Sequence, residues 1–259
     1  MQKCTLCPRN CNANRNVGEK GVCGVEGPGI VGARAALHMW EEPCISGENG
    51  SGTVFFSGCS LRCIYCQNYE IAHAKRGKRI TVERLSEIFL ELAGKGANNI
   101  NLVTPTHYTP EIIQAVSRAK KQGLNLPIVY NCSGYEKVET LEMLDGIVDI
   151  YLTDFKYMEE EAAAKYSKAP DYPEVAKRAL KEMVFQTGEP LFGEEGMMKK
   201  GVIVRHLLLP NHLRNGKKVV KYVYETYGDK VYLSLMNQYT PLPQVKHSRT
   251  EPQGYRTGI

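Results

Sequence analysis

The stretch Ser57-Gly58-Cys59-Ser60-Leu61-Arg62-Cys63-Ile64-Tyr65-Cys66-Gln67-Asn68 decides how the chain is read. It carries three cysteines at spacing C-x3-C-x2-C. Just before it runs Thr53-Val54-Phe55-Phe56, β-branched and aromatic and bounded by glycines, which predicts a buried strand ending in a glycine turn. The cysteines are therefore expected on a loop at the C-terminal end of a strand, the end that carries chemistry in parallel α/β folds. Three thiolates on one tight loop suit an iron–sulfur cluster, because soft sulfur ligands select iron–sulfur or zinc. A four-iron cluster normally takes four thiolates, so three leave one iron open to another ligand. Three buried, inert thiols and a zinc site completed by a distant ligand are the alternatives.

At 259 residues the chain holds one large α/β domain and a small appendage. A hydrophobic content of 42% is ordinary for a soluble globular protein. The net charge of +5 comes from scattered lysines and arginines, so nucleic acid binding is not indicated. No run of 18 apolar residues appears, which argues against a membrane span. Met1-Gln2-Lys3-Cys4 lacks an apolar h-region, which argues against secretion. Nine cysteines without an export signal point to metal or redox use rather than disulfides, and the expected location is cytoplasmic.

Residues 1–52 read as a cysteine-rich N-terminal appendage with little hydrophobic periodicity. Cys4, Cys7, Cys11 and Cys23 stand at C-x2-C-x3-C-x11-C. A segment so poor in core needs a staple, and a metal would serve. The spacing leaves a structural zinc and a second iron–sulfur cluster both open, with zinc slightly favoured. Cys44 stands alone and reads as an ordinary thiol.

Residues 53–240 read as the core domain. Strands are expected at Thr53–Phe56, Asn98–Val103, Pro127–Tyr130, Ile147–Leu152, Val202–Leu209 and Lys230–Leu235. Helices are expected from Thr81, with Val82, Leu85, Ile88, Phe89 and Leu92 on one face, and at Pro110–Gln122, Val138–Leu144, Glu159–Tyr166, Glu174–Phe185 and Lys217–Tyr227. Alternation of this kind implies parallel βαβ units. Six strands fall short of a closed eight-fold barrel. The tail 241–259 is polar, rich in Pro, Gly and Arg, and expected to be disordered.

C-x3-C-x2-C with an aromatic before the third cysteine, after a first strand, resembles the signature of the radical S-adenosylmethionine (SAM) superfamily. The resemblance implies that Cys59, Cys63 and Cys66 hold three irons of a [4Fe-4S] cluster and that SAM chelates the fourth. It also implies that the reduced cluster splits SAM into methionine and a 5′-deoxyadenosyl radical, which abstracts hydrogen. The cofactor carries the hard chemistry and the protein supplies binding, orientation and electrostatics. The superfamily's partial (β/α)6 barrel has the strand count found here, so the expected fold is α/β, a partial (β/α)6 barrel with the N-terminal appendage.

In such a barrel the residues after each strand face the site. These are Thr104-Pro105-Thr106-His107, Asn131-Cys132-Ser133-Gly134, Asp154-Phe155-Lys156, Arg205-His206-Leu207 with Asn211-His212, and Asn237-Gln238-Tyr239. Together with Cys4-Thr5-Leu6-Cys7-Pro8-Arg9-Asn10-Cys11 and Cys66-Gln67-Asn68, they resemble the branch of the pyruvate formate-lyase activating enzymes. The resemblance implies that Asp154 and Lys156 hold the SAM carboxylate. It implies further that Asn131 lies near SAM, that Tyr65 packs by the adenine and that Arg205 lies near the cofactor. The branch's Gly-Gly-Glu element is replaced by Thr104-Pro105-Thr106-His107, so Thr106 or His107 is expected to meet the SAM amino group.

The expected activity is that of a radical SAM oxidoreductase abstracting hydrogen from a polypeptide, a glycyl-radical enzyme among the candidates. Its partner would be a low-potential electron donor such as flavodoxin or ferredoxin. A small-molecule substrate and a non-catalytic iron–sulfur or zinc protein are the competing readings. The sequence names no residue that acts on the substrate.

Overall fold

The computed structural model describes residues 3–193 and 195–242. In chain order the elements are β1 (Ile30–His38), α1 (Pro43–Ser46), β2 (Ser51–Phe56), α2 (Tyr69–Ala72), β3 (Lys78–Ile80), α3 (Val82–Gly94), β4 (Ile100–Val103), α4 (Thr109–Lys121), β5 (Ile128–Cys132), α5 (Val138–Glu142), β6 (Ile150–Asp154), α6 (Glu160–Ser167), α7 (Tyr172–Thr187), β7 (Leu191–Phe192), β8 (Met198–Leu207), α8 (Leu213–Tyr227) and β9 (Tyr232–Met236).

Strands β2, β4, β5, β6, β8 and β9 pair in that order, all parallel. These are the six strands expected from counting, and they make the partial (β/α)6 barrel. Parallel strands are covered on both faces and so read as near-continuous apolar runs; in β6, Ile150 to Thr153 are all buried. The helices between them turn one stripe inward. Thr81 caps α3 by accepting the Arg84 N–H at 3.2 Å, and the helix buries Leu85, Phe89 and Leu92. Helix α7 begins at Tyr172, two residues before the expected start, because Pro173 sits in the first turn, where no helical N–H is required of it.

The core has two layers. Outside the barrel, Phe56, Leu102, Tyr130, Val202 and Val204 meet the helices. Inside, at the floor, Ile45 of α1 packs with Val129, Ile150, Leu152, Met198 and Ile203.

Part of the stretch expected as an appendage joins the barrel sheet. Strand β1 pairs antiparallel with β2 on one side and with β3 on the other, extending the barrel sheet. Its Gly and Ala residues hide the strand from a reading based on hydrophobic periodicity. Farther upstream, Arg9 donates from Nε to the Ser60 carbonyl (3.0 Å) and from Nη2 to the Ser167 carbonyl (2.8 Å). Thr140 donates to the Leu6 carbonyl at 2.9 Å. The tail expected at 241–259 lies, beyond residue 242, outside the described residues. Among the described residues no helix is long and apolar enough to cross a membrane.

Candidate active site

The cluster loop leaves β2 through Gly58, at φ +92°. A Cβ there would stand 2.6 Å from Val25 Cγ2 and 2.9 Å from the Cys23 carbonyl oxygen, so only glycine fits. The loop then turns back on itself through Arg62, left-handed at φ +51°, whose N–H points to Cys59 Sγ at 3.5 Å. Cys59, Cys63 and Cys66 line one cavity of about 640 Å³, together with the strand ends Val103–Thr104, Asn131–Ser133, Asp154, Lys156, Arg205 and Ser234.

Burial pushes the Cys59 thiol up to about 11, with the Cys63 charge adding to it. Burial likewise pushes Cys66 up to about 12, with Cys59 and Cys63 adding. Unaided, Cys59 and Cys66 stay protonated; a metal that binds them as thiolates must supply the balancing charge. Three thiols lining one cavity are the soft donor set that an iron–sulfur cluster takes, with one iron left for another ligand.

Lys156 Nζ and Asp154 Oδ2 form an ion pair at 2.6 Å in the same cavity. Burial alone would lower the lysine; the Asp154 carboxylate and the nearby Cys63 and Cys66 sulfurs hold it raised instead, and so cationic. The backbone around it is clamped. The Lys156 N–H donates to Tyr172 OH at 2.9 Å, and Asn215 Nδ2 donates to the Lys156 carbonyl at 3.0 Å. Tyr172 OH in turn donates to the Ser133 carbonyl at 2.8 Å, tying the ends of β5 and β6 together.

Tyr65 lines the cavity, but its hydroxyl is committed elsewhere. It stands 2.6 Å from Tyr157 OH, which stands 2.8 Å from Ser167 Oγ, which donates to Cys63 Sγ at 3.0 Å. Because the last donor is fixed, each hydroxyl in the chain donates toward the sulfur. Asn131 also lines the cavity, 3.5 Å from Glu41 Oε1.

Thr106 and His107 do not line the cavity. After β4 the chain turns at Thr104, left-handed at φ +58°, an uncommon conformation for a β-branched residue. A 3-10 turn over Thr106–Tyr108 follows and buries both side chains behind the wall. His107 Nε2 donates to the Ser57 carbonyl at 2.8 Å, and burial lowers the imidazole to about 4, so it stays neutral. Thr104, which the strand-end argument included but gave no role, is the residue of this run that lines the cavity.

Arg205 reaches the cavity floor but is already paired. Its Nε donates to Glu42 Oε1 at 2.8 Å, and Nη2 donates to Glu42 Oε2 at 2.5 Å and to Glu41 Oε2. Burial alone would lower the guanidinium; Glu42 and Glu41 hold it raised. Its guanidinium is thus engaged by two carboxylates within the cavity that the cysteines line. Asn101 Nδ2 donates to the remaining Glu41 oxygen at 3.0 Å. Sequence reasoning missed Glu41, Glu42, Tyr157, Ser167 and Tyr172. The paired acids before Pro43 were the one visible signal; the others meet the site only through folding.

The family model described as the radical SAM superfamily matches residues 53–186, from β2 through most of α7. The chain belongs to the radical SAM superfamily. Its family cofactors are a [4Fe-4S] cluster and SAM. An uncharacterized protein of Methanocaldococcus jannaschii is 30% identical over 250 residues, covering 93% of this chain and 67% of that one. Pyruvate formate-lyase 1-activating enzyme of Escherichia coli strain K12 is 27% identical over 134 residues, 48% of this chain and 53% of the enzyme. The match to that radical SAM relative spans about half its length. Among solved structures, a maturase of the [FeFe]-hydrogenase aligns with a TM-score of 0.48 at 14% identity, over 73% of this chain and 42% of the other.

Proposed function

We propose that this radical SAM protein abstracts a hydrogen atom from a polypeptide, with Cys59, Cys63 and Cys66 holding the cluster and Asp154 and Lys156 positioning SAM. The observation that carries the reading is the single cavity shared by the three thiols and the Asp154–Lys156 pair. When bound and reduced, the cluster with SAM supplies a 5′-deoxyadenosyl radical.

The chain's own residues bind and orient. The Lys156 ammonium is a compact charge suited to a carboxylate, and Tyr172 and Asn215 fix its backbone. Thr104 and Asn131 present polar groups at neighbouring strand ends. Tyr65 offers its ring to the cavity while its hydroxyl is held by Tyr157. The Tyr65–Tyr157–Ser167 chain delivers one hydrogen bond to Cys63.

Two features support a polypeptide substrate: the similarity to an activating enzyme, and a cavity rim carrying Trp40 (86% exposed) and Leu235 (53% exposed), apolar surface that a partner would cover. The one-electron donor in this reading is a low-potential carrier protein of the flavodoxin or ferredoxin kind. A small polar substrate is the second reading, favoured by the charged floor of Glu41, Glu42 and Arg205.

Anaerobic reconstitution with iron, sulfide, a low-potential reductant and SAM tests the reading. Formation of 5′-deoxyadenosine is expected, lost in Cys59→Ala, Cys63→Ala and Cys66→Ala. Unchanged formation in those variants would overturn it. Deuterium passing into 5′-deoxyadenosine from a labelled polypeptide, rather than from labelled metabolites, separates the two substrate classes.

A further inference from the structure

We infer that Cys4, Cys7, Cys11 and Cys23 form a second iron–sulfur site, built against the first through the main chain of Cys23 and Cys59. The inference rests on reading Cys59, Cys63 and Cys66 as the first such site.

The four thiols are gathered by backbone structure rather than by a hydrophobic core. The Cys4 N–H donates to the Ala13 carbonyl at 3.0 Å, and the Asn12 N–H donates back to the Cys4 carbonyl at 3.1 Å, so Cys4 lies opposite Cys11–Ala13. Cys7 opens a turn closed by the Asn10 N–H at 3.1 Å. Gly21 keeps the space between Cys11 and Cys23 open: a Cβ there would stand 3.2 Å from Cys23 Sγ and 3.5 Å from Cys11 Sγ.

Arg15 lines a cavity together with Cys4, which brings a positive charge to the group where an anionic cluster would need it. A cluster brings its own sulfides and spreads its ligands over several irons. The donors are all sulfur, the soft set that iron–sulfur clusters take.

The two sites touch. The Cys59 N–H donates to the Cys23 carbonyl at 3.1 Å, so one ligand of each proposed cluster is hydrogen-bonded to one ligand of the other. Two paramagnetic clusters so placed should sense each other.

The test is anaerobic reconstitution of the full chain, of Cys59→Ala/Cys63→Ala/Cys66→Ala and of Cys11→Ser, with iron, sulfide and zinc analysis and EPR of the reduced proteins. The triple variant is expected to retain iron and sulfide at about half the wild-type content, as one four-iron cluster of two would give. Cys11→Ser, with the first site intact, is expected to fall by a similar fraction while its remaining EPR signal still shifts on adding SAM. The wild-type spectrum should be broadened relative to the sum of the two variants. Zinc without sulfide in the triple variant, or wild-type iron in Cys11→Ser, overturns the inference; the second arm decides the matter even if the triple variant does not fold. Absence of 5′-deoxyadenosine from a wild-type protein carrying both clusters would instead count against the proposed function.

Discussion

Ser167 Oγ donates a hydrogen bond of 3.0 Å to Cys63 Sγ, and the hydroxyls of Tyr157 and Tyr65 stand in line behind it. A donor on a ligand sulfur favours the more negative, reduced state of a cluster, so its loss makes reduction harder. A hydrogen bond worth about 0.5–1.5 kcal/mol corresponds to roughly 20–60 mV for one electron. Ser167→Ala is therefore expected to shift the cluster potential downward by that amount in an EPR-monitored redox titration, with iron content unchanged. An unmoved potential would show that the hydroxyl chain serves packing alone.

Lys156→Ala should weaken SAM binding about ten-fold or more, because a charge-assisted hydrogen bond contributes roughly 1.5–3 kcal/mol. The measurement is SAM's perturbation of the reduced cluster's EPR signal. Unaltered affinity together with a loss of thermal stability would make Lys156 a purely structural partner of Asp154.

Arg205 predicts the opposite behaviour. Its side chain is 14% exposed and meets carboxylates that are 7% and 14% exposed. Removing one member of a buried ion cluster leaves uncompensated charge, at a cost of about 3–5 kcal/mol. Arg205→Ala is expected to lower the urea midpoint accordingly. Arg205→Ala/Glu41→Gln/Glu42→Gln should recover part of the loss.

Glu136 is fully buried, and no partner meets either carboxylate oxygen with hydrogen-bond geometry. Burial raises its carboxyl from 4.5 to about 8, against smaller opposing effects of Thr106, Tyr130 and Cys132. Below about pH 4.5 the folded and unfolded states both carry the proton, and nothing is lost. As pH rises from there towards 8 the unfolded chain releases it first, so stability falls across that window, by up to several kcal/mol. Glu136→Gln should remove this slope. Urea melts are expected to show the variant gaining at pH 8.5 relative to pH 5; equal gains at both would mean that Glu136 is charged in the folded protein.

The six barrel strands and the cluster loop were legible because each is a local pattern: a buried β-branched run, a glycine turn, cysteines at short spacing. Strand β1 was not, since Gly32, Ala33, Ala35 and Ala36 supply no alternation to read. The rule that residues after a strand face the site found Asn131, Asp154 and Lys156 on the cavity wall. It misled at Thr106 and His107, because the turn begun by Thr104 carries them into the core. Arg205 was found at the cavity, but its engagement was invisible: its partners lie 163 and 164 residues upstream, beyond any spacing rule.

The same separation bears on how the chain comes into being. Glu41 and Glu42 are made early, Arg205 late, and Leu6 and Arg9 wait for Thr140, Ser167 and Lys168. Contacts of such range are slow to form, and synthesis delivers the N-terminal end first. Strand β1 finds β2 and β3 early, but the segment around Leu6 and Arg9 must wait well past mid-chain for its partners. The thiols beside Leu6 and Arg9 can be sheltered, or loaded, only after α6 and the residues that close it have emerged.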